Sequence, residues 1–260
     1  MNKFENLEEY DDPILYDKEN DAYREDVTIL LKWAAKAAAG VIIDLACGTG
    51  RATIPLALEG FHLIGVDVHN GMLMEAKKKA LNLHLNIKWV KQDCTNLDLG
   101  IKSKFIYSVG NSFQHFLTND AQDGFLISVN RHLEREGIFI FGTRFPSEEE
   151  LLQQNEEEYW RSYIDKETNN KVDVYTVSSY DPLNQVQHNM TIRKYIDSTG
   201  EIVDEVRTNI GLRYVYPKEM ERILMINGFE ITQIYKDWNE SPLTEDSHQM
   251  IYVCKKTREL

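Results

Sequence analysis

Val41-Ile42-Ile43-Asp44-Leu45-Ala46-Cys47-Gly48-Thr49-Gly50-Arg51 is the stretch from which the fold can be read. Its first five residues are a short β-branched run, the pattern of a strand buried on both faces. Ala46 to Gly50 are small residues suited to a tight turn, and the pattern predicts a helix from about Arg51 to Glu59. Glycines in such a turn let a ligand approach the backbone, and the helix start offers free N–H groups.

The alternation continues on both sides. Upstream, Val27, Leu30, Leu31, Ala34 and Ala38 recur at helical spacing up to Gly40, after a polar lead-in with scattered aromatics (Phe4, Tyr10, Tyr16). Downstream, strands are predicted at His62–Val66, Ile87–Val90, Phe105–Val109 and Ile138–Phe141, with helices between them. Such alternation implies right-handed βαβ units and a doubly wound, mostly parallel α/β sheet. After Pro146 the pattern shifts. Ser147–Tyr163 is glutamate-rich and predicted helical; Val172–Tyr180, Val186–Ile196 and Ile202–Tyr216 then alternate with period two, as an antiparallel meander. Pro217 and Asn227-Gly228 bracket a further helix, and strands at Glu230–Tyr235 and Met250–Cys254 complete seven, the last antiparallel. The expected organisation is a core of 1–146 and 217–260 carrying a substrate-lid insertion at 147–216.

Ligands of an open parallel sheet sit beyond the carboxyl ends of its strands. Asp67, 23 residues after Asp44, ends the second strand where a carboxylate meets ribose hydroxyls, and Asp93 ends the third, placed for an exocyclic amine. Two strand-end acids and a glycine turn describe a nucleoside-like cofactor. Gly48-Thr49-Gly50-Arg51-Ala52-Thr53 lacks the third glycine of a dinucleotide fingerprint, and no phosphate loop is present. Asp44-Leu45-Ala46-Cys47-Gly48-Thr49-Gly50-Arg51, with Gly65-Val66-Asp67-Val68 and Lys91-Gln92-Asp93-Cys94, resembles the class I S-adenosylmethionine-dependent methyltransferases. The meander after the fifth strand resembles their small-molecule branch.

The resemblance implies a Rossmann-like methyltransferase fold, S-adenosyl-L-methionine as cofactor and S-adenosyl-L-homocysteine as product. It implies that Ala46, Gly48 and Gly50 line the methionine part, with Asp44 near its amino end. Asp67 takes the ribose, Val68 one face of the adenine, and Asp93 with the Cys94 backbone the adenine amine. The segment from Gly110 passes the sulfonium end and faces the acceptor, with Asn111 and His115 as the candidate catalytic residues, while Tyr16 and Arg24 close over the cofactor or are surface residues. Ala46 replaces the more usual glycine. His115, expected to titrate near neutrality, is the candidate base for a hydroxyl acceptor; an amine needs only to be neutral and aligned.

Composition excludes other classes. Forty-two acidic against 29 basic residues leave a net charge of −13, which disfavours a nucleic-acid partner. By family resemblance, GNSF after the fourth strand, in place of an NPPY- or DPPY-like tetrapeptide, argues against a base-amine methylase. Cys47, Cys94 and Cys254 form no CxxC pair, and the seven histidines show no metal-binding spacing. No apolar run spans a bilayer and the opening MNKFENLEEYDD is acidic, so a cytoplasmic protein with no membrane partner is expected. Arg193 and Arg207 are expected to face solvent and Trp238 to roof the pocket or pack on a neighbour. The expected activity is methyl transfer to a small-molecule nitrogen or oxygen, in an oligomeric state the sequence leaves open. A nucleotide-cofactor oxidoreductase of the NAD type and a non-catalytic S-adenosylmethionine-binding protein are the alternatives.

Overall fold

The computed structural model describes residues 6–37, 40–152, 155–165 and 167–260; Phe4 and Ala38, named above, lie outside them. They form two compact units, one of the described residues within 10–146 and 215–260, the other of residues 6–9 with the described residues of 147–214.

The larger unit begins with α1 (Pro13–Asn20), capped by Asp12 through the Ile14 and Leu15 N–H groups, and α2 (Glu25–Lys36). Next come β1 (Val41–Leu45), α3 (Thr53–Leu58), β2 (His62–Asp67), α4 (Asn70–Asn82) and β3 (Lys88–Lys91). After these come β4 (Ser103–Ser108), α5 (Asn119–His132) and β5 (Leu133–Arg144). The seven-stranded sheet runs β3-β2-β1-β4-β5 in parallel, continued by two later strands, so the strand order reverses between β1 and β4. That reversal opens the crevice.

Apolar residues line both faces of the sheet. On one, Phe113, Phe125, Phe139 and Phe141 pack as an aromatic cluster; on the other, Ile42, Phe105 and Tyr107 pack against Ile29 and Leu30 of α2. Lys256 is 1% exposed and donates to the Asn130 and Leu133 carbonyls, placing a cation where α5 ends.

The smaller unit holds α6 (Glu148–Leu151), β6 (Glu158–Ile164), β7 (Lys171–Asp181), β8 (Val186–Ile196) and β9 (Ile202–Arg213) in a four-stranded antiparallel sheet, β6-β7-β8-β9. The helix expected over 147–163 is therefore corrected. Among the described residues of that range only Glu148–Leu151 is helical, because the run Tyr159-Trp160-Arg161-Ser162-Tyr163-Ile164 favours pleated pairing with β7 over its glutamate-rich neighbourhood. Arg193 is a second correction. It is 4% exposed and donates to Glu9 at 2.9 Å and Thr208 at 2.9 Å. Arg207 is half exposed and paired with Glu205.

The chain then rejoins the larger unit through α7 (Pro217–Ile226), which ends at Gly228 with φ +80°. β10 (Phe229–Tyr235) follows, and β11 (Gln249–Lys256) lies antiparallel between β5 and β10, completing the predicted seven strands.

Candidate active site

The turn after β1 is held tightly. Cys47 donates to the Val66 carbonyl, Gly50 to that of Cys47, and Ile54 to that of Gly50, at 2.9–3.0 Å. Ala46, Gly48 and Gly50 all have positive φ, of +55°, +56° and +82°. A Cβ on Gly50 would stand 2.8 Å from the Trp89 ring, so glycine is required there twice over. Ala46 accepts a conformation that disfavours any L-residue by about 1–2 kcal/mol. Ala46→Gly is therefore expected to leave the fold intact and stabilise it by up to about 1 kcal/mol, after the added freedom of the unfolded chain is subtracted. A clear loss of stability in urea unfolding would show that the methyl group packs usefully.

Three acids approach the crevice from the strand ends. Asp44 is 1% exposed and accepts from Thr53 Oγ1 at 2.6 Å through Oδ2, while Oδ1 has no hydrogen-bond partner. Burial pushes its carboxyl up to about 7. Asp67 accepts from the Gly48 N–H and the His69 N–H, each at 2.8 Å, and so binds the glycine turn to the end of β2, with Val68 half-buried beside it. Burial raises Asp67 as well, against those two donors. Asp93 caps the turn Cys94–Asn96, its Oδ1 accepting from the Thr95 N–H and hydroxyl. Cys94 is buried and its thiol pushed up to about 12; burial raises Cys47 well above the ordinary thiol range as well. Both are held as thiols.

A set of contacts without any local sequence signal ties the lead-in to this turn. Thr49 donates to Asp17 on α1 at 2.5 Å, and Lys79 on α4 donates to the same carboxylate at 2.7 Å. Arg51 makes a two-pronged ion pair with Asp26 on α2, at 2.9 and 2.5 Å, and also donates to the Tyr23 carbonyl. Burial alone would lower the Arg51 guanidinium; the Asp26 carboxylate outweighs it. Tyr16 lies half-buried on α1, its ring 5.7 Å from that of Tyr10, whereas Arg24 is exposed and paired with Asp21 at 3.2 Å.

Beyond β4, Gly110 and Asn111 both adopt left-handed backbone (φ +71° and +58°), which turns the chain into the short helical turn Ser112–His115. The surroundings of Gly110 are open. His115 Nε2 is hydrogen-bonded to the Tyr10 hydroxyl at 2.9 Å, with the two rings edge to face. This corrects the expectation of a base titrating near neutrality: the residue is half-buried, and burial lowers the imidazole to about 4. His115 is neutral throughout the physiological range. Trp238 packs over Gly142 in the core beneath α2.

Among the described residues no three His, Cys, Asp or Glu side chains gather as a metal cluster, and no helix is long and apolar enough to cross a membrane. A groove of about 630 Å³ opens at the opposite edge of the larger sheet, near Trp33, Lys104, Arg135 and Tyr235, away from every residue named in this crevice.

Residues 42–137 match a family model described as a methyltransferase domain. A Geobacillus sp. (strain WCH70) protein that carries a provisional methyltransferase name is 24% identical over 261 residues, covering 97% of this chain and 99% of that one. An S-adenosylmethionine-dependent methyltransferase from Clostridium acetobutylicum ATCC 824 has a similar structure, with a TM-score of 0.80 at 20% identity over 94% of this chain and 97% of that one. CalS10 from Micromonospora echinaspora, an amino pentose methyltransferase solved with S-adenosylmethionine, gives a TM-score of 0.72 at 15% identity over 94% and 95%.

Proposed function

We propose that the chain is an S-adenosylmethionine-dependent methyltransferase of the class I fold and that it methylates a nitrogen or oxygen of a small molecule, with the crevice beyond β1, β2 and β4 as the site. The observation that carries the site assignment is the orphaned, buried Asp44 Oδ1 beside a turn of three left-handed residues. A buried carboxylate oxygen without a partner is costly, and the ammonium of the cofactor's methionine end supplies the missing donor. The residues present therefore fit the cofactor. When bound, it supplies a sulfonium methyl already activated for transfer.

In this reading Asp67 receives the ribose hydroxyls through its remaining lone pairs, and Val68, Asp93 and the Cys94 backbone surround the adenine. The opened turn at Gly110-Asn111 leaves room for the sulfonium end. α1, with Tyr16, excludes water, and the Thr49–Asp17–Lys79 contacts hold it down. Arg24, exposed and paired with Asp21 in the structure, has the weakest case, and would need to turn inward to reach the cofactor's carboxylate. Asn111 orients the backbone that leads to His115.

Of the two acceptor chemistries, the amine is better supported. A hydroxyl must lose its proton, and an imidazole held near 4 is a feeble base for that task. A neutral amine needs alignment and water exclusion, which Tyr10 and His115 can supply as a fixed polar pair. The inserted sheet, in this proposal, sets acceptor specificity, as long insertions into a catalytic fold commonly do. The oxidoreductase alternative is set aside, since the matched model is a methyltransferase domain.

His115→Ala is expected to lower turnover at least tenfold while moving cofactor affinity less than about threefold. The wild-type rate should show no inflection from His115 between pH 5 and 8, because the neutral form is already complete there. Equal losses in both constants would make His115 a cofactor residue. The activity itself is tested by incubating a metabolite extract with methyl-labelled cofactor and analysing by mass. Label in a small amine supports the proposal, and label only in precipitable macromolecules contradicts it.

A further inference from the structure

Asp44 is almost wholly buried, and its neighbours give it no usable counter-charge. From α3 it receives the Thr53 hydroxyl. From β4, Tyr107 lies directly across in register, fully buried, its hydroxyl near enough to favour the ionised carboxyl but without a completed hydrogen bond. The turn after β1 contributes Cys47, and Cys94 lies behind it; burial holds both as neutral thiols. The one nearby cation, Arg51, is committed to Asp26 on α2, and those two opposite charges act on Asp44 in opposite senses. Among the described residues no lysine, arginine or histidine pairs with Asp44.

A carboxyl so placed is favoured in its neutral form until a cation arrives. Building on the site reading above, we propose that Asp44 gives up a proton when it takes the ligand's ammonium, and that the Tyr107 hydroxyl acts as the positioning donor for the carboxylate left behind. In the empty protein, at mildly acidic pH, the proton resides on Asp44. On binding, it passes to solvent, the ammonium of the methionine end replaces it as the charge partner, and the Tyr107 O–H donates to the carboxylate. The balance is one proton released for one ammonium bound, with no covalent bond altered in the ligand. The consequence is pH-dependent affinity: cofactor binding weakens as pH falls below about 7, by up to tenfold per unit, and the gain flattens toward pH 8, where the ligand's own amino group begins to lose its proton. Burial of this carboxyl thus makes occupancy of the site sensitive to acidification, by a route separate from the methyl-transfer step.

The test is calorimetric titration of the full-length protein with S-adenosylhomocysteine at pH 6.5, where the ligand's amino group is an ammonium, in two buffers of different ionisation enthalpy. The expected result is release of about half to one proton per ligand bound. Asp44→Asn should bind more weakly at pH 8 and release essentially none. Tyr107→Phe, which keeps the buried ring, should move the midpoint of the affinity-against-pH curve upward by at least about half a unit, because the ionised carboxyl loses a donor. A purely structural Tyr107 would leave that midpoint unmoved and overturn its role. Binding by the wild type with no buffer-dependent heat would overturn the proton exchange while leaving the cofactor site standing. Failure to bind at all would sink both.

Discussion

Asp67→Ala is expected to weaken S-adenosylhomocysteine binding by roughly 30- to 100-fold, about 2–3 kcal/mol, while the protein remains folded. Two losses combine in that figure. The proposed charge-assisted hydrogen bonds to the ribose disappear, and so do the acceptors for the Gly48 and His69 N–H groups that seat the glycine turn on β2. Asp67→Asn separates them, since one amide oxygen still accepts one of those N–H groups; its affinity should fall between wild type and alanine. Equilibrium titration of both variants checks the ordering. An alanine variant within threefold of wild type would remove Asp67 from the site.

The second large effect concerns stability. Asp26→Ala should lower the free energy of unfolding by about 3–5 kcal/mol, measured by urea denaturation, because it strands the Arg51 guanidinium in the core. The two side chains are 0% and 8% exposed, so solvent cannot screen the orphaned charge. Replacing both partners, as Asp26→Leu with Arg51→Met, should recover most of the loss, the usual behaviour of a buried pair exchanged for apolar groups of similar volume. If the single variant loses less than about 1 kcal/mol, the pair is wetter than its burial indicates. Arg51 follows Gly50 directly, so the same variants also report on how firmly α2 steadies the cofactor turn.

Much of this architecture was legible because local pattern and tertiary role agree. β1 is apolar on both faces and sits in the middle of the sheet; Gly48 and Gly50 fall where the backbone turns left-handed; Pro217 and Gly228 bracket α7. The expectations that failed are those where distant partners decide. Glu158–Ile164 lies in an acidic neighbourhood that reads as helical, yet its aromatic residues pair with β7. Arg193 reads as a solvent-facing cation on a strand until Glu9, 184 residues away, comes beside it. Composition cannot reveal that Tyr10 meets His115 across 105 positions, or that burial there strips the imidazole of its usual basicity. Thr49 and Arg51 were visible as polar residues in the glycine turn, but their partners Asp17 and Asp26 lie in a lead-in with no motif to mark them.

The most direct measurement is a crystal structure of the protein grown with S-adenosylhomocysteine. The account predicts the nucleoside across the ends of β1 and β2, ribose hydroxyls on Asp67, adenine beside Asp93, and the amino group within hydrogen-bond distance of Asp44 Oδ1. Ligand seated elsewhere, or a crevice that stays filled by the protein's own side chains at saturating concentration, would contradict it.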